Sequence, residues 1–371
     1  MRQNHAFSGT EPLRPQRILI VRLSAIGDVV HALPALRLLR QAFPQATLGW
    51  VVEDFAAAFV EGHPDLDRLH VIPKKRWRGS FLRRLWPEIR PFAQEIRRCR
   101  YDVAIDFQGL TKSGLIAWLS GAPRRIGFGG SQGAELNRLF TNEKVIPPPN
   151  ATHIVERNVA LLARLGVVGT PQPPVLPLTE ADERAAGRIW ADLGLTAGQK
   201  AVGLNVGAGW ETKRWPVEHW AALAGLVRKG LGLTPVLLWG TREERALAEA
   251  VRDRLRAQGE PALIAPPTSL RENAALMRRL TLYYGGDTGA THAAAALGVA
   301  TVGIYGASDS KRNSPFGPRA VALQAATAPC IPCWKGRCKH SRWLACLKDL
   351  TPAMALQAGE KLLESGGEAL R

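Results

Sequence analysis

The chain has 371 residues, 46% of them hydrophobic, and 49 Lys and Arg against 32 Asp and Glu give a formal net charge of +17. That length exceeds what one core usually covers and predicts two domains, while the charge points to an anionic partner: a phosphorylated substrate, anionic lipid or nucleic acid. No uninterrupted apolar run of about 18 residues occurs and the opening MRQNHAFSGTEPLRPQ lacks the apolar centre of a signal peptide, so the expectation is a soluble, cytoplasmic protein.

Ile18 to Val21 is a β-branched and Leu run without alternation, which predicts a strand buried on both faces of a parallel sheet. Ser24, Ala25 and Gly27 keep the next turn tight. Asp28 then opens a helix with Val29, Leu33, Leu36 and Leu39 on its apolar face and Pro34 tolerated at a cost in its first turns. One carboxylate therefore stands at the carboxyl edge of the first strand, where open α/β sheets place ligands; the alternative is that Asp28 merely caps the helix. With Gly27 alone before the acid, the stretch is not a G-x-G-x-x-G dinucleotide fingerprint.

Thr47 to Val52, ending in Glu53, and Leu69 to Ile72 read as the next strands. Between Lys74 and Arg100, ten Lys or Arg stand against Glu88 and Glu95, with Trp77, Phe81, Trp86 and Phe92 interleaved and Pro87 and Pro91 breaking the segment. Such a segment suits an anionic surface or a nucleic acid, or is a solvated face. Tyr101 to Phe107 predicts a strand that runs into the polar loop Gln108 to Ser113, a second candidate site edge. Arg124 to Phe128 is a short strand and His153 to Leu165 a helix.

Four prolines within Gly169 to Pro177 mark a semi-rigid linker. The alternation then restarts with strand Ala201 to Val206, helix Val217 to Leu226, strand Pro235 to Trp239 and helix Glu243 to Leu255. Ser269 and Glu272 form a capping box, and strand Leu282 to Tyr284 leads into Gly285, Gly286, Asp287, Thr288 and Gly289. Two doubly wound, Rossmann-like α/β halves facing across a cleft are the fold expected, divided into residues 1–175 and 176–371. Gly207 to Pro216 delivers Lys213 and Arg214 on a Gly-rich loop before a helix, the combination a phosphate requires, and Glu244 follows a strand where it could meet ribose hydroxyls or simply favour the helix dipole.

Three motifs resemble glycosyltransferase family 9, the heptosyltransferases: Ser24 to Asp28 with His31 to Leu36, Lys213 with Arg214-Trp215-Pro216, and Asp287-Thr288-Gly289 followed by His292. Trp50 to Glu53, Lys75-Arg76-Trp77 and Asp106 to Ser113 resemble the branch that adds the first heptose of the lipopolysaccharide inner core. The resemblance implies a GT-B fold whose last helix, after Pro352, packs back across the cleft. It also implies inverting transfer from ADP-L-glycero-D-manno-heptose to Kdo on lipid A, with no cofactor for catalysis. It makes Asp28 the base, places Lys213, Arg214, Glu244, Asp287, Thr288, Gly289 and His292 around the donor, and puts Ser24, Lys75, Arg76, Gln108 and Lys112 around the acceptor. The expected location is the cytoplasmic face of the inner membrane, with Lys74, Arg78, Arg83 and Arg84 facing lipid phosphates, Trp77 and Trp86 at headgroup level, and no nucleic-acid partner. A UDP-sugar transferase or epimerase of the same fold, and a nucleic-acid binder acting through the basic segment, are the competing readings.

Cys330, Cys333, Cys338 and Cys346 fall in one window with the spacing C-x2-C-x4-C-x7-C. In a cytosolic chain this predicts one structural zinc or iron held away from the reaction, against the alternative of four packing cysteines. Lone Cys99 is expected in the core.

Overall fold

The computed structural model describes residues 14–73, 82–130, 134–326 and 328–368, with backbone alone at 82–88 and 366–368. Lys74, Lys75, Arg76, Trp77, Arg78 and Phe81 lie outside the described residues, as do the side chains of Arg83, Arg84 and Trp86. Among the described residues no helix is long and apolar enough to cross a membrane.

The first half contains β1 (Arg17–Val21), α1 (Ile26–Val30), α2 (Leu33–Ala42), β2 (Thr47–Glu53), β3 (Arg68–Ile72), α3 (Leu82–Arg98), β4 (Val103–Asp106), α4 (Thr111–Leu119), β5 (Arg124–Phe128) and β6 (Glu143–Val145). α5 (Ile154–Leu161) and α6 (Glu180–Asp192) flank residues 167–179, which form neither helix nor strand. Then come β7 (Ala201–Asn205), α7 (Val217–Leu231), β8 (Thr234–Leu238), α8 (Arg242–Ala257), β9 (Leu263–Ile264), α9 (Leu270–Arg278), β10 (Leu282–Gly286), α10 (Gly289–Ala296) and β11 (Ala300–Tyr305). The chain finishes with α11 (Ser310–Asn313), β12 (Ala320–Gln324), α12 (Ala345–Lys348) and α13 (Pro352–Glu368).

All strands are parallel, in two sheets ordered β3-β2-β1-β4-β5-β6 and β12-β11-β10-β7-β8-β9. The unalternating strands are buried on both faces because helices cover both sides: Ile18, Leu19, Ile20 and Val21 are fully buried. Each order reverses once, between β1 and β4 and between β7 and β10, and the crevice at such a reversal is where doubly wound sheets bind ligands.

Three sequence expectations are corrected. The helix read from Asp28 onward is two helices, and Pro34 lies in the first turn of α2, where its missing N–H costs nothing. Pro87 and Pro91 do not break the basic segment, since α3 runs through both. They stand four residues apart, so both lost backbone bonds fall on about the same side, while Ile89, Phe92, Ala93 and Ile96 bury the packed face. Finally, α13 lies against α7 and β11 of the second half rather than across the cleft, placing Ala355, Leu356 and Leu362 in that half's core.

The halves meet through α1 and α10. A Cβ on Gly27 would come 2.4 Å from His292 Cδ2, and one on Gly289 would come 2.6 Å from Ile26 Cγ2, so glycine at both positions lets the two helices touch. A cluster of buried apolar side chains continues across this seam from Ile20 and Leu36 to Tyr283 and Ala293. Arg271 of α9 adds a polar tie, donating to the Glu61 carbonyl at 3.1 Å and pairing with Asp182 at 3.0 Å.

Gly27→Ala is therefore expected to lower stability by about 1–3 kcal/mol through overpacking at the seam. Gly225→Ala, in α7 with open space at its Cβ, should be neutral or stabilising by up to about 1 kcal/mol. Denaturant unfolding of the two variants checks the contrast.

Candidate active site at the paired switch points

A cleft of ≈ 620 Å³ opens between the two reversals, lined by Arg22, Ser24, Asp28 and Gln108 from the first half and by Lys213, Arg312 and Trp334 from the second. Asp28 sits in the first turn of α1. Its Oδ2 accepts from the Ala25 N–H at 3.1 Å, so it does cap the turn, while Oδ1 pairs with Arg22 Nη2 at 2.7 Å. Capping and cleft placement are thus compatible, and 35% of the side chain remains exposed. Arg22, the first residue after β1, is buried and also donates to the Phe107 carbonyl at the end of β4. Gln108 Oε1 accepts from the Leu23 N–H at 2.8 Å, tying together the two loops at the reversal.

On the facing wall, Lys213 Nζ pairs with Asp287 Oδ2 at 2.6 Å and lies 4.8 Å from the centre of the Trp210 ring. His292 Nε2 meets Asp287 Oδ1 at 3.2 Å. Burial alone would raise the Asp287 carboxyl; the His292 hydrogen bond and charge, with Lys213, hold it well below the usual carboxylate range. α6, α8 and α9 have side-chain caps from Thr179, Thr241 and Ser269. Thr288 makes no such cap on α10; its hydroxyl lies near Thr291 Oγ1 and Asn205 Nδ2, leaving the first amides of α10 open toward an anion.

The structure therefore brings Asp28, Ser24, Gln108 and Lys213 into one cleft, with Asp287 and His292 directly behind Lys213. Arg214 turns away, its Nε donating to the Ala208 carbonyl at 2.7 Å. Glu244 Oε2 accepts from the Gly240 and Thr241 N–H groups at 2.8 and 3.0 Å as part of a capping box, and its Oε1 faces Gly207. Lys112 is paired with Glu53 at 2.6 Å.

Sequence reasoning missed Arg22, Arg157, Arg312 and Trp334 as cleft residues. Arg22 was findable as the strand-end residue beside the candidate acid. The others lie on α5, on α11 and in the cysteine window, and only tertiary packing brings them to Asp28.

The expected four-thiolate centre does not assemble: among the described residues, no three His, Cys, Asp or Glu side chains converge on a metal position. Cys346 is buried in α12, Cys338 Sγ accepts from the Leu344 N–H at 3.3 Å, and Cys330 is exposed. Burial first, then the nearby Cys330, Cys338 and Cys333, push the Cys346 thiol up to about 11. Nor is the window remote from the cleft. Trp334 lines it, the Cys333 and Trp334 N–H groups both donate to the Ala307 carbonyl, and Trp343 Nε1 donates to Glu211 beside Lys213. Cys99 is half-buried, packed against the first core.

Two parallel doubly wound sheets with their switch points sharing one cleft, a carboxylate on one wall and a lysine on the other, define a protein of the GT-B fold. The model for glycosyltransferase family 9 (heptosyltransferase) matches residues 89–344. Lipopolysaccharide heptosyltransferase 1 of Pseudomonas aeruginosa is 31% identical over 325 residues, covering 87% of this chain and 88% of that protein. The protein of the same name from Escherichia coli strain K12 is 30% identical, covering 83% and 93%. The solved structure of E. coli heptosyltransferase WaaC with ADP superposes with a TM-score of 0.72 at 26% identity, covering 93% of this chain and 99% of that one. The chain belongs to glycosyltransferase family 9.

Behind the cleft, His31 packs edge-on against His292 and His153, with ring centres 4.2 and 5.3 Å apart. Burial, then the neighbouring His292 and His153, lower His31 well below its ordinary value near 6.5. Burial also lowers His153, whose Nδ1 accepts from the Val155 N–H and whose Nε2 donates to the Ser314 carbonyl at 2.9 Å. Both rings hold a proton less tightly in the folded state than in the unfolded chain, which binds their protons below about pH 6.5. Stability should therefore fall as pH drops below that value, by up to about 1.4 kcal/mol per pH unit from His31, with His153 adding to the slope in the same direction. Asp287 acts in a separate, more acidic window: its contribution is present above the ordinary carboxylate range and is lost as pH falls through that range. Unfolding midpoints between pH 7.5 and 5 should show the first slope, and His31→Gln should flatten it.

Proposed function

We propose that the protein transfers heptose from ADP-L-glycero-D-manno-heptose to a Kdo-lipid A type acceptor in lipopolysaccharide inner-core synthesis, with inversion. The observation that carries this reading is that Asp28 and Lys213 line the same cleft from opposite halves. Dividing near residue 175, the first half takes the acceptor and the second the donor. Ser24 and Gln108 line the acceptor wall; Lys75 and Arg76, outside the described residues, are assigned to the acceptor on the sequence resemblance alone.

In this reading Asp28, oriented by Arg22 and the Ala25 amide, takes the proton of the acceptor hydroxyl as its oxygen attacks the anomeric carbon. The bond to ADP breaks on the opposite face, and negative charge grows on the departing diphosphate. Lys213 and the open amides at Thr288 and Gly289 meet that charge in fixed positions, so little reorganisation accompanies the step. Asp287 and His292 hold Lys213 at its post. Glu244, with Oε2 committed to its own helix, offers Oε1 to the ribose. Supporting the donor assignment, the E. coli relative that superposes over 93% of this chain was solved with ADP. We place the protein at the cytoplasmic face of the inner membrane, attached reversibly by the basic segment around residues 74–84.

Asp28→Ala should lower turnover by about 10²- to 10⁴-fold with ADP affinity within about twofold of the parent. Lys213→Ala should weaken ADP as well as turnover. ADP release during transfer and calorimetric ADP titration separate the two effects, and near-normal turnover in Asp28→Ala would remove Asp28 from the reaction.

A further inference from the structure

Arg22, Arg157, Arg312 and Lys213 all line the cleft that holds Asp28. Two of these cations are spoken for: Arg22 pairs with Asp28 and Lys213 with Asp287. Arg157, on α5 of the first half, is half-buried and has no side-chain hydrogen bond or ion pair among the described residues. Arg312, on α11 of the second half, donates to Asn313 Oδ1 at 2.6 Å and lies 5.7 Å from the centre of the Trp334 ring, again with no carboxylate in ion-pair contact among the described residues. Its backbone is fixed by Asp309, whose side chain accepts from the Lys311 and Arg312 N–H groups.

The two guanidiniums are partly desolvated and near one another. Burial lowers Arg157, and burial, with Arg157 and Arg22 against the opposing pull of Asp28, lowers Arg312. Three guanidiniums around a single carboxylate leave an excess of positive charge, and the planar fork of arginine matches a carboxylate in two-point contact.

We infer that Arg157 and Arg312 form a subsite for a carboxylate of the acceptor sugar, held between the two halves beside Asp28. This rests on the proposed heptosyl transfer. A carboxylate is favoured over the donor's diphosphate because Lys213 and the open end of α10 already serve the phosphates, whereas Arg157 shares the Asp28 wall with Gln108, Ile154 and Phe128. Lys112, the cation expected there, is taken by Glu53. A carboxylate clamped at this point fixes the sugar ring about Asp28 and is contacted by both halves, so the subsite selects acidic acceptors.

The test measures binding of the methyl glycoside of Kdo and of its methyl ester, by calorimetry or tryptophan fluorescence, to the parent protein and to Arg157→Gln, Arg312→Gln and Arg312→Lys. The parent should prefer the acid over the ester by about tenfold or more, and each Gln variant should lose that preference. Arg312→Lys should recover part of it, and ADP should bind all four proteins within about twofold, which also reports an intact fold. No preference in the parent, or full preference in both Gln variants, overturns the subsite. A tenfold loss of ADP affinity in the Gln variants overturns it too, by giving the pair to the diphosphate. Transfer from ADP-heptose is read separately: acid preference with no heptosyl transfer would refute the proposed activity while supporting the carboxylate subsite.

Discussion

Gly27 against His292 is the contact on which the geometry of the cleft depends. Because no side chain intervenes there, α1 and α10 approach closely enough for the loops after β1 and β4 to face those after β7 and β10. Each sheet alone would present a ligand crevice at its reversal. Only their apposition puts Asp28 and Lys213 on opposite walls of one cleft. The seam is also where three histidines pack with two ring nitrogens, His31 Nε2 and His292 Nδ1, buried without a hydrogen-bond partner in the described structure. Polar groups left in this condition oppose the folded state, so close packing around them must outweigh that cost.

Charge in the cleft is arranged so that acids are paired and an excess of cations remains. Asp28 has Arg22, and Asp287 has Lys213 and His292. Pairing fixes the orientation of each carboxylate within a partly enclosed space, where charge interactions are stronger than in bulk water. The open end of α10 and the guanidiniums of Arg157 and Arg312 supply positive potential that the protein itself does not neutralise, and anionic ligands are its natural complement. The cysteine-rich window belongs to the same wall. It braces the Lys213 loop through Trp343 and Glu211 and through the Lys335 carbonyl, which accepts from Thr212.

Much of the fold was legible because strands buried on both faces leave apolar runs that need no partner to be recognised. Ile18 to Val21 and Ala201 to Leu204 are of this kind. Asp28, Lys213 and Asp287 were legible for a related reason, since strand ends point at the ligand edge whatever the rest of the chain does. What failed depended on distance in the chain. The prolines of α3 were outweighed by the apolar face of Ile89, Phe92 and Ile96, and α13 took the second half's core because Ala355 and Leu362 fit against α7 and β11. The cysteine spacing suggested ligands, but spacing alone does not aim side chains at one point. Arg157 and Arg312 stand 155 residues apart in sequence, by subtraction of their positions, and nothing local marks them as partners.

Single displacement across one cleft, with Asp28 on the acceptor side and Lys213 on the donor side, has a stereochemical signature that no rearrangement of roles within the cleft can imitate. Nuclear magnetic resonance of the product formed from ADP-heptose and a Kdo-bearing acceptor reads the anomeric configuration of the transferred sugar. A configuration opposite to that of the donor is the expected result. Retained configuration would contradict direct attack assisted by Asp28.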